Sequence, residues 1–503
     1  GMSGKRKPWE ANIAYDRLGR ETSRMMPGCV ENTMHYDSIG RPAHQRVRHN
    51  GRTLLDKSYT WGDNLRLLRT FDTINGGSVR YNYDAFGSLS GAVYGDGSCQ
   101  WRNPDAMGNV YDSPDRTDRS YGRGGQLRED KKWRYYYDSH GNLVLKTMRR
   151  MEPSRNAEAR DEFLQWQSGD YAYTWQANGV LRSVTRPDGK TVTFRYDALG
   201  RRIEKVFDGR VYRYLWDGDV ILHEWDYAEA DRPNTIVTEA GEVTLDRPEP
   251  VENLITWVYD SDSYVPTAKI VGDRHYSIVS DYIGRPVQAY DDKGTVVWQA
   301  DYDIYGNLRN LHGSRQFIPF RQLGQYEDEE TGLYYNRFRY YDPRIGNYIS
   351  QDPIRLAGGN PTLYGYVADS NSWLDLFGLS GRGGTIHRSI QDQLERDLRN
   401  LGKNVAKEGQ IILKNGRSRF GDVVVRNDIG DIIEVHQIGD MRSRGGFRPS
   451  SRERGAIMDI REALGDDVRI VFHDKKQRVT LIDPDKADNW KEPSKRYRYS
   501  GCS

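Results

Sequence analysis

The sequence contains few cysteines and no long apolar segment. Its 503 residues include three cysteines, which are too few and too scattered for a disulfide framework or a cysteine metal cage. No apolar run approaches the ~20 residues that a membrane span needs. The first ten residues, GMSGKRKPWE, lack the apolar region of a secretory signal peptide. We therefore expect no membrane span and no signal peptide, and at roughly 150 residues per domain the length allows about three domains.

Phenylalanine is also scarce, whereas tyrosine, tryptophan and glycine are well represented. The chain has 12 Phe against 34 Tyr, 12 Trp and 51 Gly. Tyr and Trp suit strands, where the ring packs and the polar tip reaches a partner. Gly suits turns that need a positive φ, and a disordered chain would lack the aromatic residues. The composition therefore predicts a mainly β fold with many short strands.

A Tyr-Asp-x-x-Gly phrase recurs along the first three hundred residues. In each copy we expect Tyr to end a strand and pack inward, Asp to accept a hydrogen bond from the backbone two residues on, and Gly to take a left-handed conformation. A single hairpin cannot bury its own face, so neighbouring copies are expected to stack into a long sheet. The copies begin at Tyr15, Tyr36, Tyr83, Tyr137, Tyr196, Tyr290 and Tyr302, with a degenerate copy at Pro104.

These phrases resemble the YD repeats of Rhs proteins and of the C components of insecticidal toxin complexes, over roughly residues 10–379. The resemblance implies a β-sheet shell that encloses a toxic C-terminal domain. Because the chain is shorter than a full shell of this kind, we expect a small or partial shell. We expect residues 1–322 to form the YD-repeat shell, residues 323–379 the Rhs core-associated region, and residues 380–503 a small α/β toxin domain.

Residues 323–379 are similar to the Rhs core-associated motif and end in the phrase DLFGL. In that phrase Leu376 occupies a position where the family usually has Pro. Members of the family cut themselves after the terminal Leu of the phrase, which implies a scissile bond between Leu379 and Ser380. This reaction needs no cofactor.

The resemblance implies that Arg339, Asp352 and Asp375 catalyse this cleavage. Two adjacent carboxylates share a proton near neutral pH, so one can deprotonate water while the other protonates the scissile carbonyl or the leaving amine. A nearby arginine holds one carboxylate ionised and in place. From the residues alone, turn formation by the two aspartates and a strand salt bridge of Arg339 are favoured over catalysis, and the resemblance reverses that preference.

The composition changes after Leu379, where a Gly-rich linker, SGRGG, begins. Residues 380–503 hold 25 Lys and Arg against 19 Asp and Glu, whereas residues 1–379 hold 49 against 53. A basic domain favours an anionic target, of which nucleic acid is the commonest, although a domain can be modestly basic for no such reason. We expect a nucleic-acid substrate, with DNA favoured over RNA.

The pattern of the C-terminal domain predicts the order α–β–β–β–α–β–β. Apolar residues at every fourth position predict a helix over residues 386–401. Strands are predicted over residues 410–414, 419–425, 431–438, 468–472 and 478–483, and a second helix over residues 451–464.

Two of the central strands carry polar residues among Val and Ile. Asp422 lies in RFGDVVV, and Glu434 and His436 lie two residues apart in IIEVHQIG, on one strand face. We expect the turn at residues 427–430 to place Asp422 almost opposite them. Carboxylates so placed can hold a divalent cation that activates water against a phosphodiester. We therefore expect Asp422 and Glu434 to bind Mg²⁺ or another divalent cation.

This order of helix, hairpin and Glu-x-x strand resembles the PD-(D/E)XK nucleases, with His436 where those enzymes usually have Lys. Toxin nucleases of this kind often carry a similar E-x-H-Q phrase, so the resemblance adds Gln437 to the expected catalytic residues. Glu395 matches the helical acid that some of these nucleases use. It also fits a surface ion pair with Arg399 four residues on, while Glu408 is a weaker candidate acid.

A basic segment over residues 442–454 is the expected nucleic-acid contact, because Arg side chains bind phosphates. Its last residues form an R-E-R phrase like that of the toxin nucleases. Any single arginine of the segment also fits a solvated loop. The expected phosphate-binding residues are Arg442, Arg444, Arg448, Arg452 and Arg454.

Three classes of function are compatible with these features. The first is a secreted antibacterial effector, delivered by a contact-dependent system such as type VI secretion, whose nuclease acts in the target-cell cytoplasm. The second is a toxin of other chemistry, such as an ADP-ribosyltransferase; a deaminase would need a Cys-x-x-Cys zinc site, and this domain has only Cys502. The third is a purely structural, carbohydrate-binding shell. The expected partners are an acidic immunity protein, the secretion apparatus, and an adaptor or chaperone.

Overall fold

The structure, a computed structural model, divides into two compact units. The first unit comprises residues 1–382 and the second comprises residues 383–503, a division just after the expected boundary between residues 379 and 380. The residues described are 8–62, 66–150, 157–239, 241–261, 263–353, 362–379, 394–395, 398–399, 403–413, 418–427, 429–439, 449, 451–474, 480–483 and 485.

The first unit begins with a nine-stranded antiparallel sheet in which every strand pairs with its neighbour in the chain. Its strands are β1 (Asn12–Tyr15), β2 (Glu21–Met26), β3 (Val30–Tyr36), β4 (Pro42–His49), β5 (Arg52–Trp61), β6 (Leu67–Asp72), β7 (Ser78–Tyr83), β8 (Leu89–Tyr94) and β9 (Cys99–Trp101). The short pair β10 (Asn103–Pro104) and β11 (Val110–Tyr111) follows.

A sixteen-stranded antiparallel sheet follows, and the exposed hairpin β22–β23 projects from it. Its strands begin with β12 (Ser120–Tyr121), β13 (Leu127–Glu129), β14 (Arg134–Tyr137), β15 (Leu143–Thr147), β16 (Tyr171–Trp175), β17 (Leu181–Thr185), β18 (Thr191–Tyr196), β19 (Arg202–Phe207), β20 (Arg210–Asp217) and β21 (Val220–Ala228). After β22 (Thr235–Val237) and β23 (Val243–Leu245), it continues with β24 (Glu252–Tyr259), β25 (Pro266–Val271), β26 (Arg274–Ser280), β27 (Pro286–Tyr290), β28 (Val296–Tyr302) and β29 (Leu308–His312). One α-helix, α1 (Ala157–Phe163), and 3-10 turns at Arg123–Gly125, Glu229–Asp231 and Arg315–Phe317 complete the connections.

The repeat phrase builds the turns that join these strands, as the copy at Tyr196 shows. Asp197 Oδ1 accepts hydrogen bonds from the amides of Leu199 and Arg201 at 2.9 and 2.8 Å. Its Oδ2 accepts the Arg201 guanidinium at 2.7 Å, and Gly200 has a φ of +75°. The predicted Asx-turn and left-handed glycine are therefore confirmed. Every tyrosine of the seven copies ends a strand, although Tyr15 is exposed rather than packed inward.

The sequence analysis missed one copy of the turn. Asp281 makes the same bonds, with Oδ1 accepting from Ile283 and Arg285 and Oδ2 accepting the Arg285 guanidinium at 2.8 Å. Ser280 precedes it in place of Tyr, which is why the Tyr-Asp search missed it. The bonding therefore depends on Asp and Gly, and the tyrosine has a separate role.

That role is to join one repeat to the preceding one. Tyr196 Oη donates to the carbonyl of Leu181, and Tyr302 Oη donates to that of Pro286, both at 2.7 Å. A β-bulge lies directly before the aromatic residue, as between Arg195 and Tyr196, and bulges of this kind increase the twist of a sheet. Tryptophans at the end of a strand or one residue before it bond back in the same way through Nε1, at Trp61, Trp175 and Trp216.

A four-stranded sheet in residues 326–348 is buried against the sixteen-stranded sheet. Its strands are β30 (Tyr326–Asp328), β31 (Leu333–Asn336), β32 (Arg339–Asp342) and β33 (Asn347–Tyr348), and all their residues are buried. Repeat-sheet rings meet those of the small sheet, as in the pair Tyr214–Tyr326, whose centroids are 5.7 Å apart. Repeat aromatics therefore pack onto the core-associated region of their own unit.

The second unit has a five-stranded sheet in the order β34-β35-β36-β37-β38, in which only β36 and β37 are parallel among the described strands. From β34 onward the described elements follow the predicted order, whereas most of the predicted first helix lies outside the described residues. β34 begins six residues before the predicted strand, because pairing with β35 extends over residues 404–409. The elements are β34 (Asn404–Ile412), β35 (Ser418–Arg426), β36 (Ile432–Gly439), α2 (Ser451–Leu464), β37 (Arg469–Asp474) and β38 (Thr480–Ile482). Leu394 and Leu398 of the predicted first helix are buried.

Within the described part of the chain, no helix has both the length and the apolar character needed to cross a membrane.

Candidate functional site

The DLFGL phrase lies against the buried four-stranded sheet. Asn336 Nδ2 donates to the carbonyl of Asp375 at 2.9 Å, and the amide of Phe338 donates to the carbonyl of Phe377 at 3.2 Å. Gly378 has a φ of +65°, and a Cβ atom at this position would lie 2.5 Å from the carbonyl oxygen of Asn336. A side chain at residue 378 would therefore displace the phrase from the sheet.

Arg339, Asp352 and Asp375 meet at this phrase, and each is at most 2% exposed. Arg339 Nη2 lies 3.3 Å from Asp352 Oδ2 and 3.4 Å from Asp375 Oδ2. Arg339 is in β32, Asp352 follows β33, and Asp375 begins the phrase, so three separated segments supply the group. One guanidinium thus faces two buried carboxylates, which is the arrangement that general acid–base chemistry by paired carboxylates requires.

The same side chains hold the peptide unit that precedes the expected scissile bond. Arg339 Nε donates to the carbonyl oxygen of Gly378. Asp375 Oδ1 accepts the amide of Leu379 at 2.9 Å. The Gly378–Leu379 peptide is therefore bonded at both its oxygen and its nitrogen, which positions the carbonyl of Leu379. Ser380, the other side of the expected scissile bond, lies outside the described residues.

The sequence analysis missed two further residues of this site. Tyr348 Oη donates to Asp375 Oδ2 at 2.8 Å, and Asn336 Nδ2 donates to Tyr348 Oη at 2.6 Å. The guanidinium carbon of Arg339 lies 3.6 Å from the centre of the Tyr348 ring. Burial, followed by the charge of Asp375, raises the pKa of Tyr348 well above its ordinary value. No sequence signal separated these residues from the many other polar residues of the motif.

In the second unit, Glu434 and His436 share one face of β36, as expected, and both are buried. Glu434 Oε2 accepts Lys403 Nζ at 2.7 Å, and Glu434 Oε1 lies 3.2 Å from His436 Nε2. Burial alone would raise the pKa of Glu434, but hydrogen bonds from His436 and Lys403 outweigh it and lower the pKa to about 2. Glu434 is therefore a carboxylate across the physiological pH range.

His473, which the sequence analysis did not select, extends this group. His436 Nδ1 lies 2.8 Å from His473 Nε2, and the two rings are stacked. Burial, followed by the charge of His436, lowers the pKa of His473 well below its ordinary value. His473 is on β37, whose parallel pairing with β36 could not be read from the sequence. Lys403, Glu434, His436 and His473 thus form one continuous series of polar contacts, in which all but the partly exposed Lys403 are buried.

Asp422 lies one residue from the position directly opposite His436. Val423 and Val425 lie directly across from His436 and Glu434. A register shift next to Arg426 moves the pairing by one residue, which places Asp422 one residue beyond His436. Asp422 Oδ2 accepts the amide of Ile438 at 2.6 Å.

The side chains of the expected divalent-cation site make ion pairs and hydrogen bonds within the protein. The Glu434 oxygens face Lys403 and His436, and an oxygen of Asp422 accepts a backbone amide. Over the ranges that the structure describes, no three His, Cys, Asp or Glu side chains are close enough together to hold a metal ion. We therefore assign no catalytic step to a metal.

The other expected residues of the second unit include an ion-paired acid, a buried glutamine, and arginines of which most lie outside the described residues. Glu395 accepts the Arg399 guanidinium at 2.9 Å, the ion pair that its spacing allowed. Gln437 is buried, and Arg454 is partly buried on α2. Arg442, Arg444 and Arg448 lie outside the described residues, as does the side chain of Arg452.

The first unit is built of Tyr-Asp turns, and it carries a buried Asp–Arg–Asp group at the end of its core-associated region. Together these two features are typical of a YD-repeat shell protein. A family model described as Teneurin YD-shell matches residues 11–357, which is more than half of the chain. The chain therefore belongs to the Teneurin YD-shell family. The resemblance to Rhs YD-repeat proteins is confirmed by this match and by the curated relatives.

Among those relatives, the double-stranded DNA deaminase toxin A of Burkholderia cenocepacia is 31% identical over 409 residues, covering 74% of this chain and 26% of that protein. The probable deoxyribonuclease RhsA of Dickeya dadantii is 29% identical over 476 residues, covering 91% of this chain and 30% of that protein. The toxin protein Tse5 of Pseudomonas aeruginosa is 32% identical and covers 66% of this chain and 27% of that protein. The chain thus spans about a quarter to a third of the length of these relatives.

Among solved structures, the Tc holotoxin pore of Photorhabdus luminescens is similar over 75% of this chain and 19% of the matched chain, with 14% sequence identity and a TM-score of 0.42.

Proposed function

We propose that this chain is the toxin-bearing part of a secreted antibacterial Rhs effector that cuts itself after Leu379 and carries a nuclease in its second unit. The observation that carries the proposal is the buried group of Arg339, Asp352 and Asp375 around the peptide that ends at Leu379. It lies at the carboxyl end of the first unit, next to the division into two units. Cleavage there separates the two units.

The cleavage is a hydrolysis by paired carboxylates. One carboxylate accepts a proton from water as the water oxygen attacks the carbonyl carbon of Leu379. The carbon–nitrogen bond to Ser380 then breaks, and the leaving nitrogen takes a proton from the partner carboxyl group. Arg339 stabilises the negative charge of the pair throughout. The products are a carboxylate at Leu379 and an amine at Ser380, so atoms and charge balance without a cofactor.

Mass spectrometry of the purified chain tests this step. The expected result is a fragment that begins at Ser380, whereas Asp352→Asn and Asp375→Asn leave the chain intact, since each removes one proton-transfer group. Asp369→Asn, which changes a buried aspartate in a turn of the same unit, is the matched control and is expected to cleave. Equal cleavage in all three variants would exclude the assignment.

The coverage of two relatives supports a nuclease in the second unit. The match to the probable deoxyribonuclease covers 91% of the chain, which exceeds the 382 residues of the first unit, so it extends into the second unit. The match to the deaminase toxin covers 74%, which the first unit alone can contain. A zinc deaminase also needs two cysteines as zinc ligands, and the second unit has only one cysteine in its sequence. DNA is therefore the favoured substrate over RNA.

The proposed catalytic residues of the nuclease are Asp422, Glu434, His436 and Gln437. Glu434 and His436 are a buried carboxylate–imidazole pair, which can move protons during phosphodiester hydrolysis. The arginines of residues 442–454 are the proposed phosphate contacts. Dependence on Mg²⁺ stays a prediction from the sequence.

Incubation of the processed protein with plasmid DNA and with total RNA, with Mg²⁺ or EDTA, tests the nuclease. Glu434→Ala and Asp422→Ala are expected to lower the rate by roughly a hundredfold or more, the size of an acid–base contribution. Glu462→Ala, at an exposed acid on α2, is the control and is expected to retain activity. Activity that survives the double change Asp422→Ala and Glu434→Ala would place the active site elsewhere and favour another toxin chemistry.

The delivery and protection of such a toxin need further partners. We propose export by a contact-dependent system, type VI secretion first, with an adaptor or chaperone, and action in the cytoplasm of the target cell. The net charge of +6 over residues 380–503 favours an acidic immunity protein that covers the basic domain in the producing cell. Survival of cells that express residues 380–503 without any partner would contradict this proposal.

A further inference from the structure

Asp375 is surrounded by hydrogen-bond donors on both of its carboxylate oxygens. Oδ1 accepts the amide of Leu379 at 2.9 Å, and Oδ2 accepts Tyr348 Oη at 2.8 Å and faces Arg339 Nη2 at 3.4 Å. Hydrogen bonds that donate to a carboxylate stabilise its charged form. The donors around Asp375 therefore hold this carboxylate in one orientation, next to the Leu379 amide.

The orientation of the Tyr348 hydroxyl is set by Asn336. A hydroxyl has one hydrogen, so Tyr348 can donate to Asp375 only if its other hydrogen-bond partner is a donor. Asn336 Nδ2 is that donor, at 2.6 Å from Tyr348 Oη, and it also donates to the carbonyl of Asp375 at 2.9 Å. Both contacts require the nitrogen of the amide at this position, which fixes its orientation. Asn336 is fully buried, so water cannot replace it easily.

The Tyr348 ring contributes separately from its hydroxyl. It lies under the guanidinium of Arg339, 3.6 Å from the ring centre to the guanidinium carbon, and rings of Tyr341 and Tyr366 pack against it at 5.8 and 6.0 Å. Because burial and the charge of Asp375 keep the pKa of Tyr348 well above its ordinary value, the hydroxyl retains its hydrogen across the pH range of the reaction.

We propose that Tyr348, oriented by Asn336, is a positioning residue for self-cleavage: its hydroxyl holds the Asp375 carboxylate in place beside the peptide next to the scissile bond. This inference rests on the proposed cleavage reaction. Among the charged and titratable side chains, Arg339 and Tyr348 face Asp375, and Arg339 also faces Asp352.

The rate of cleavage as a function of pH tests the inference. The full chain is purified in denaturant and diluted into buffers from acidic to mildly alkaline pH, and the fragment that begins at Ser380 is quantified over time. Tyr348→Phe keeps the ring and removes the hydroxyl. A carboxylate that loses a donor binds a proton more readily. The low-pH limb of the pH–rate profile is therefore expected to shift to higher pH by about one pH unit. On that limb the cleavage rate is expected to be about tenfold lower, and the rate is expected to recover partly at higher pH.

Tyr341→Phe is the matched control, because Tyr341 is an equally buried tyrosine of the same sheet whose hydroxyl donates to the carbonyl of Tyr305 at 2.7 Å. The low-pH limb of the pH–rate profile of this variant is expected to lie at the same pH as in the wild type. If Tyr348→Phe gives too little folded protein, Asn336→Ser, which leaves the tyrosine in place, is expected to move the limb in the same direction.

Three outcomes are distinguishable. A shifted limb in Tyr348→Phe with an unshifted limb in Tyr341→Phe supports the inference. A wild-type profile, or a rate lowered equally at every pH, overturns it, since a purely structural role would not move the limb. Wild-type cleavage in Asp352→Asn would instead contradict the cleavage proposal itself.

Discussion

At the scale of single residues, the second unit keeps a carboxylate charged by surrounding it with donors. Glu434 is 8% exposed and contacts Lys403 and His436. Its pKa is lowered from 4.5 to about 2 in the folded protein. A carboxyl group whose pKa is lower in the folded than in the unfolded state stabilises the fold above its unfolded pKa, and this contribution is lost as the pH falls toward the folded value.

We therefore expect Glu434 to stabilise β36 above about pH 4.5 and to lose that effect between pH 4.5 and about pH 2. Glu434→Gln should lower the protection of Ile432–Gly439 against hydrogen–deuterium exchange at neutral pH. The difference from the wild type, corrected for intrinsic exchange rates, should shrink as the pH approaches 2. A difference that is constant with pH would show that the loss arises from packing rather than from charge.

Residue-level prediction from the sequence succeeded where side chains are close along the chain. Glu434 and His436 share a face because they are two residues apart on a strand. Asp422 could not be placed, because its position depends on a one-residue register shift across the hairpin. Lys403, in the segment before β34, and His473, on a different strand, were missed because they lie far from Glu434 in the sequence. Only the folded sheet brings them to Glu434.

At the scale of elements, the repeat turn has two separable parts. Asp197 binds two backbone amides through one oxygen and the Arg201 guanidinium through the other. Gly200 supplies the left-handed conformation. The turn therefore depends on local bonds that the sequence phrase itself encodes, which explains why its geometry could be predicted from five residues.

We expect Asp197→Ala to destabilise the first unit by about 1–3 kcal/mol, because two backbone donors and a guanidinium lose their acceptor. Asp197→Asn should cost less, because its amide oxygen can still accept the two backbone amides and only the ion pair with Arg201 is weakened. Denaturant unfolding of the full chain, followed through the first unit, measures both. Equal losses in the two variants would mean that the ion pair, and not the backbone bonds, stabilises the turn.

The sequence predicted the strands and turns of the repeats but not how the sheets are divided. The sheet is interrupted around residues 102–119, between nine strands and sixteen strands, where the degenerate copy at Pro104 lacks its tyrosine. Nor could the phrase search predict that the core-associated region forms a separate buried sheet. Its burial depends on contacts between rings far apart in the chain, such as Phe194 and Tyr340 at 5.3 Å.

At the scale of the whole molecule, the two parts of the chain carry opposite charge. Residues 1–379 have a net charge of −4, and residues 380–503 have a net charge of +6. After the proposed cleavage at Leu379 no covalent bond would hold the fragments. We expect attraction between opposite charges to contribute to their association, and dissolved salt screens such attraction.

We expect the cleaved fragments to elute together from a size-exclusion column at low ionic strength and to dissociate more readily as salt is added. The uncleaved Asp352→Asn chain should elute as one species at every salt concentration. Association that does not change with salt would indicate that apolar contacts, rather than charge, hold the fragments together.

The bonds to the Gly378–Leu379 peptide have a consequence for what happens after the reaction. Both the oxygen and the nitrogen of that peptide belong to the fragment that retains Arg339 and Asp375. The proposed hydrolysis would therefore leave the new chain terminus bound in the site that produced it, where it would block access by any other peptide. A centre of this kind would act once per molecule and then be occupied by its own product, so it would not digest other proteins of the producing cell.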